Sequence, residues 1–245
     1  QGRRDLELVR MTPDVIYDQL IGMGCARRLI FSFAGNPGVG SLRRFRDAVE
    51  HSWPVPLELE EHTHAGMAAR YAAAASGLPF GVLRGYRGTD LAERANIKPI
   101  ICPFTGEELT AVPALDLDVG IVHAQRADRQ GNVQLWGIAG VQKETILGAE
   151  RSLVTVEEIV DELDPRPGAV VVPGWAIDAV AEAPRGAHPS YVHDYYDRDN
   201  AFYREWDAIT SDRDRFREWM ERHVAGTADV GEYHRSLEAA AEVAG

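Results

Sequence analysis

Only two cysteines occur in the 245 residues, Cys25 and Cys102. They stand in unrelated contexts and neither belongs to a CxxC pair, which excludes a zinc or dithiol redox motif. Two reduced thiols in a cytoplasmic protein are the expected state. Basic residues are also short: 26 Lys and Arg face 38 Asp and Glu, a net charge of −12. That balance argues against a nucleic-acid or anionic-membrane surface. No apolar run approaches the ~18 residues that cross a bilayer, and no signal peptide is visible. There is no internal repeat, no low-complexity linker, no GxSxG and no evident nucleophile triad. The chain opens on Gln1 and the charged stretch QGRRDLE, so residues are expected to be missing before it.

What is present is an ordinary apolar share, 45%, in a chain long enough to bury roughly 70–75% of its unfolded surface without a disulfide or metal. Strand and helix signals alternate. Thr12-Pro13 reads as a helix start, Thr as N-cap and Pro in the first position, with a stop at Gly22 and Gly24. Arg28–Ala34 is a strand that runs through GNPGVGS into a helix over about Ser41–His51. PLELEE is a short strand. The alanine-rich stretch Met67–Ala75 is a helix capped by Gly77 and followed by Pro79. FGVLR is the next strand, and GYRGTDL a loop entering a short helix. Ile97–Leu115 is strand-like, with TGEE as its hairpin turn.

Residues 118–140, DVGIVHAQRADRQGNVQLWGIAG, are the centre of the pattern. Asp118–Gln125 reads as a buried strand, RADRQGN as a polar loop closed by Gly131 and Asn132, and Val133–Trp136 as a second strand. Polar loops at strand ends are where α/β proteins bind ligands. A helix over about Val141–Glu150, a strand SLVTVEEIV and two strands around Pro173-Gly174 follow. The tail holds two amphipathic helices, with Phe202, Trp206 and Ile209 at helical spacing and then Phe216 with Trp219-Met220; Ser211 and Asp214 resemble a capping box. A third helix spans about Glu232–Ala244. The expected fold is α/β, a mostly parallel sheet flanked by helices, over residues 1–194, with a helical tail over 195–245 packed on the same domain.

Several stretches can carry chemistry, each with a plainer reading beside it. Glycines in GNPGVGS can bring backbone N–H groups to a phosphate at a helix start. The order GxxGxG is not the dinucleotide fingerprint and Pro37 removes a donor, so a nicotinamide cofactor is not expected and a plain turn is the alternative. Glu60, Glu61, His62 and His64 cluster at a strand end, as an acid–base wall or as a solvated turn with one residue capping the helix. His62 and His64 lack a third metal ligand at a recognisable spacing. Arg84, Arg87 and Thr89 suit a carboxylate or phosphate, or are surface groups. Arg126, Asp128, Arg129 and Asn132 carry the same two readings. The loop GAHP at 186–189 is odd for pure packing.

Together EEHTHAGMAARYAAAASGLPF, RGYRGTDL, IKPIICPFTGEEL, DVGIVHAQRADRQGNVQLWG, TVEEIVDEL and VVPGWAIDAVAEAPRGAHPSYVHDYYDRDN resemble the α (A) subunit of the family I CoA-transferases, in the glutaconate CoA-transferase-like branch. The likeness spans about residues 12–225. It implies a two-subunit enzyme, of two α and two β chains, that moves CoA from an acyl-CoA to a carboxylate by a ping-pong route. Coenzyme A is then a substrate and no cofactor is needed. The attacking glutamate belongs to the β half, and the α half is a companion wall. Substrate or CoA contacts are expected from Glu61, His64, Arg84, Arg87, Thr89, Arg126, Asn132 and His188, with no catalytic residue in this chain. An apolar face left open for the β partner is also expected.

Two departures bear on this. The usual N-terminal strand and glycine-rich loop of the family's α chain have no counterpart here. A branch of the family hydrolyses CoA thioesters of steroid-derived rings and carries a catalytic glutamate ahead of the helix that ends in LPF. Alignment on Leu78-Pro79-Phe80 places His64 there, with Glu61 three residues earlier. His64 cannot form a glutamyl anhydride, so a transferase is favoured. A hydrolase using Glu61 as base, and a non-catalytic partner subunit, are the alternatives.

Overall fold

The computed structural model describes residues 2–36, 38–94 and 96–244; Pro37, singled out above, lies outside them. In chain order the elements are β1 (Leu6–Val9), α1 (Val15–Gly22), β2 (Ala26–Phe31), α2 (Arg43–His51), β3 (Glu58–Glu61), α3 (His64–Ala75), β4 (Phe80–Leu83) and α4 (Leu91–Arg94). Next come β5 (Lys98–Ile101), β6 (Glu108–Pro113), β7 (Leu117–Asp128), β8 (Val133–Leu135), α5 (Gln142–Gly148), β9 (Ala149–Val160), β10 (Val170–Val172) and β11 (Ala179–Glu182). The tail is α6 (Asn200–Ile209), α7 (Arg213–Met220) and α8 (Val230–Ala244).

The α/β class stands, but the strands fall into three sheets, ordered β1-β2-β3, β10-β8-β7-β9-β11 and β4-β6-β5. Parallel pairing holds for β1 with β2, β7 with β9 and β9 with β11. The β4-β6-β5 sheet is antiparallel throughout, the β5–β6 pair joined by the TGEE hairpin, and β8 pairs antiparallel with both β7 and β10.

The chain forms two compact units, and the boundary expected at residue 194 falls elsewhere. One unit joins residues 1–59, 188–190 and 198–245; the other holds 60–187 and 191–197. The reason is a shared core. Phe202, Tyr203, Trp206, Phe216 and Met220 of the tail bury against Val15 and Val39. Ion pairs add to it: Arg213 grips Asp47 through two contacts of 2.8 Å, and Arg43 grips Asp207 through two of 2.9 Å. A second cluster in this unit packs Leu8, Leu29 and Phe31 on Ile21 and Ala48.

Local starts differ by a residue or two from expectation. α1 is capped by Asp14, whose side chain accepts from Val15 N, rather than by Thr12; a carboxylate adjoining the first free N–H groups also suits the helix dipole. α7 is capped by Asp212, which accepts from Asp214 N and Arg215 N, so the Ser211–Asp214 box does not form.

The second unit is built on β7 and β9, paired in register from Leu117↔Ala149 to Asp128↔Val160. Val122, Ala124, Val154 and Val156 bury with Val133, Leu135 and Ile146. Along the same two strands Val119, Ile121 and Leu153 are 48%, 69% and 42% exposed, an open apolar stretch of the kind expected above. β7 does not stop at Gln125. Arg126 and Ala127 continue the ladder against Glu158 and Ile159, so the polar loop shrinks to the turn after Asp128.

Candidate functional site

A buried polar cluster sits where β3 passes into α3. Successive residues of an extended segment face opposite sides, so Glu60 and His62 turn inward while Glu61 is exposed. Thr63 is extended and its hydroxyl accepts from Gly66 N at 2.9 Å, which starts α3 at His64. His62 is 1% exposed. Its Nδ1 lies 2.8 Å from the Tyr86 hydroxyl and its Nε2 lies 2.8 Å from Glu60 Oε1. Arg70 also pairs with Glu60, places Nη1 2.6 Å from His62 Nε2, and donates to Pro113 O at 3.0 Å. Glu61 and His64 stand exposed at the rim. His62 and His64 therefore diverge, and among the described residues no three His, Cys, Asp or Glu side chains are grouped for a metal ion.

The segment after β4 meets this cluster through Tyr86. Thr63 N donates to the Tyr86 hydroxyl at 3.2 Å, and Thr89 Oγ1 donates to Tyr86 O at 2.7 Å. Two stretches read separately in the sequence, EEHTH and RGYRGT, are thus one structure. Arg84 is held by Glu107 through two contacts of 2.8 Å. Arg87 donates to Glu108 O at 3.3 Å and remains exposed. Arg70 and Tyr86 were not among the residues singled out by sequence. Glycine on both sides of the YR pair was the available signal.

Arg126 and Asn132 serve a different arrangement. Arg126 pairs with Glu158 across the ladder and donates to the Tyr195 hydroxyl at 3.1 Å. That hydroxyl's hydrogen bond holds the Glu158 carboxyl below the usual range. Asp128 ties the turn: Oδ1 accepts from Gln130 N and Asn132 N at 3.0 and 2.9 Å, and Oδ2 from Asn132 Nδ2 at 2.7 Å. Asn132 Oδ1 accepts from Gly174 N at 2.9 Å. Arg129 contacts Asp161 in solvent.

On the other face of β7 and β9, His123 sits between Thr155 Oγ1, 2.8 Å from Nδ1, and Glu157 Oε1, 2.6 Å from Nε2. Glu157 also accepts from the Tyr196 hydroxyl and from Arg185 N, each at 2.8 Å. Burial pushes the His123 imidazole down, more than Glu157 raises it. This cluster binds the PRGA segment to the sheet and was not foreseen. His188 belongs to the first unit, 3.2 Å from Asp199 Oδ2 and edge-on to Phe202.

The glycine loop is answered locally too. Residues Phe33, Gly35, Asn36 and Ser41 line a groove of about 260 Å³. At the start of α2, however, Asp207 fills the anion position, accepting from Ser41 N at 2.9 Å. Gly40 (φ 122) is required there, since a Cβ would lie 2.6 Å from Asp207 Cβ. The plain turn is the geometry observed, with the Ser41 N–H already used.

Comparison with known proteins agrees with this architecture. The sequence model of the family described as Coenzyme A transferase matches residues 15–183. The chain is 58% identical over 238 residues to the α (A) chain of the 3-oxoadipate CoA-transferase of Pseudomonas knackmussii, covering 97% of this chain and 84% of that one. It is 32% identical to the α (A) chain of the glutaconate CoA-transferase of Acidaminococcus fermentans, over 97% of this chain and 79% of the relative. The crystal structure of glutaconate coenzyme A-transferase from that organism superposes with a TM-score of 0.85 at 31% identity, over 96% of this chain and 79% of that chain. The chain belongs to the Coenzyme A transferase family, among the α chains of its glutaconate CoA-transferase-like branch.

Proposed function

We propose that this chain is the α subunit of a two-subunit CoA-transferase that moves CoA from an acyl-CoA to a small dicarboxylate of the 3-oxoadipate class. The observation that carries the reading is the 58% identity, spread over 97% of the chain, to a relative named for that acid. The β subunit supplies the attacking glutamate, and two chains of each kind assemble. The glutamate forms an acyl anhydride and then a glutamyl-CoA thioester, dividing one difficult transfer into two easier ones. Coenzyme A enters and leaves as substrate. Glu61, His64, Arg87 and Thr89 form this chain's wall of the site, where a guanidinium and a hydroxyl suit a carboxylate. Arg84, Arg126 and Asn132, each engaged by its own neighbours, shape loops of the same unit, and His188 shapes a loop of the other.

The test is reconstitution. This chain alone transfers no CoA from succinyl-CoA to 3-oxoadipate, and mixing with the β subunit restores exchange. Borohydride reduction of the loaded complex marks a glutamate of the β subunit. Exchange by the isolated chain, or a mark on Glu61, overturns the reading.

One observation favours a second reading. The chain is 30% identical over 183 residues to the cholesterol ring-cleaving hydrolase IpdA subunit of Mycobacterium tuberculosis, and Glu61 is exposed beside His64. A hydrolase with Glu61 as base loses turnover in Glu61→Gln, whereas the transferase retains its covalent step.

A further inference from the structure

Tyr86 is held in a conformation that its own chemistry disfavours. Its φ is 73°, in the left-handed region that bulky side chains rarely enter. It is nevertheless 3% exposed. Such backbone persists only where the surroundings determine it, and it concentrates at functional sites.

Here the surroundings are specific. The hydroxyl accepts from Thr63 N at 3.2 Å and hydrogen-bonds His62 Nδ1, 2.8 Å away. His62 Nε2 in turn lies 2.8 Å from Glu60 Oε1, a carboxylate shared with Arg70, and 2.6 Å from Arg70 Nη1. The first turn of α3 is cut to receive the hydroxyl, since a Cβ on Gly66 would lie 1.7 Å from Tyr86 Oη. At its other end Tyr86 carries the 84–89 segment, with Thr89 N and Oγ1 donating to Tyr86 O at 3.1 and 2.7 Å.

We propose that Tyr86, braced by His62, is a positioning residue for acyl-CoA transfer: its hydroxyl fixes the Arg87–Thr89 segment against the Glu61–His64 edge. This rests on the CoA-transferase reading above. Glu61, His64 and Arg87 are exposed, and the buried phenol oxygen of Tyr86 joins the two rims through Thr63 N and His62. Reactive geometry is sensitive to displacements of about 1 Å. A loosened link therefore lowers rate while the fold and the contact with the β subunit persist.

The experiment uses the complex of this chain with the β subunit. Tyr86→Phe keeps the ring and removes the link. Its complex is expected to assemble as wild type, with kcat/KM for CoA transfer reduced about 10- to 100-fold and faster amide exchange at 61–66 and 84–89 together. His62→Asn places an amide group where Nδ1 stood and keeps a hydrogen bond to Tyr86, so it restores most of the rate that His62→Gln, matched only to the Glu60 side, loses. Wild-type kcat/KM in Tyr86→Phe, or equal losses in the two His62 variants that follow their melting temperatures, overturns the proposal. A wild-type complex that transfers no CoA overturns the functional reading and this proposal with it, whereas a normal Tyr86→Phe in an active complex overturns the proposal alone.

Discussion

Asp207 and Ser41, 166 residues apart, meet at the start of α2, where the Asp207 carboxylate accepts the Ser41 N–H at 2.9 Å. The same carboxylate takes two contacts of 2.9 Å from Arg43, whose hydrogen bond is the main cause holding it below the usual range. A side chain of the tail thus does for the glycine loop what a bound phosphate does elsewhere.

Asp207→Ala is expected to destabilise the chain by about 1–3 kcal/mol, the range for charge-assisted hydrogen bonds. A urea unfolding series at neutral pH measures it. A change within ~0.5 kcal/mol, typical of ordinary surface sites, contradicts the role given to this contact.

The pH response of stability turns on Asp18. This carboxyl is fully buried, accepting from Phe45 N at 2.8 Å and Trp206 Nε1 at 3.1 Å; burial pushes it up to about 7 against the two hydrogen bonds and Arg44. The folded state then keeps its proton where the unfolded chain has lost it. Stability attributable to Asp18 is present below pH ~4 and declines as pH rises toward 7, by up to several kcal/mol (about 1.4 per unit). Carboxyls held low, such as Asp207, change only below that window. His123 is depressed by burial and slopes the other way, its stability lost as pH falls below its ordinary value. Unfolding of wild type and Asp18→Asn at pH 4.5 to 7.5 separates them: the difference between the two curves is expected to shift steadily in favour of Asn as pH rises. A constant difference contradicts the burial effect.

Glu157 offers three separate donors their acceptor. Glu157→Gln leaves one oxygen for them, so buried groups lose partners at about 3 kcal/mol in total. It also removes the carboxylate that raises the His123 pKa against burial. Proton NMR of the His123 ring is expected to show it neutral to lower pH than in wild type. An unmoved titration contradicts the contact.

Much of this fold is legible in the residues. The hairpin at TGEE, the alanine-rich α3 with glycine at its end, and the polar edge at Glu60–His64 follow from turn chemistry, propensity and period. What is not legible has physical reasons. The amphipathic faces of α6 and α7 announce burial but cannot name Val15 and Val39 as partners. β7 continues past Gln125 because Arg126 finds Glu158 on β9, a pairing set by register rather than by hydrophobicity. Nothing local marks Tyr86 as left-handed, since its conformation answers to His62 and Gly66 across the unit. The resemblance marked Glu61, His64, Arg126 and Asn132 alike; only the three-dimensional contacts show that Arg126 and Asn132 are already committed to neighbours.

The discontinuous first unit also sets an order of events during synthesis. Residues 60–187 leave the ribosome as one run, with nearly all of the second unit's chain in hand. The first 59 residues emerge before them yet must wait, because the core around Val15 is completed only by Trp206, Phe216 and Met220. Contacts of such large sequence separation form late. Residues 1–59 are therefore made before the second unit yet finished late. A message cut short before residue 198 releases a polypeptide with Val15 and Val39 uncovered by the tail, which is the kind of surface that chaperones and proteases act on.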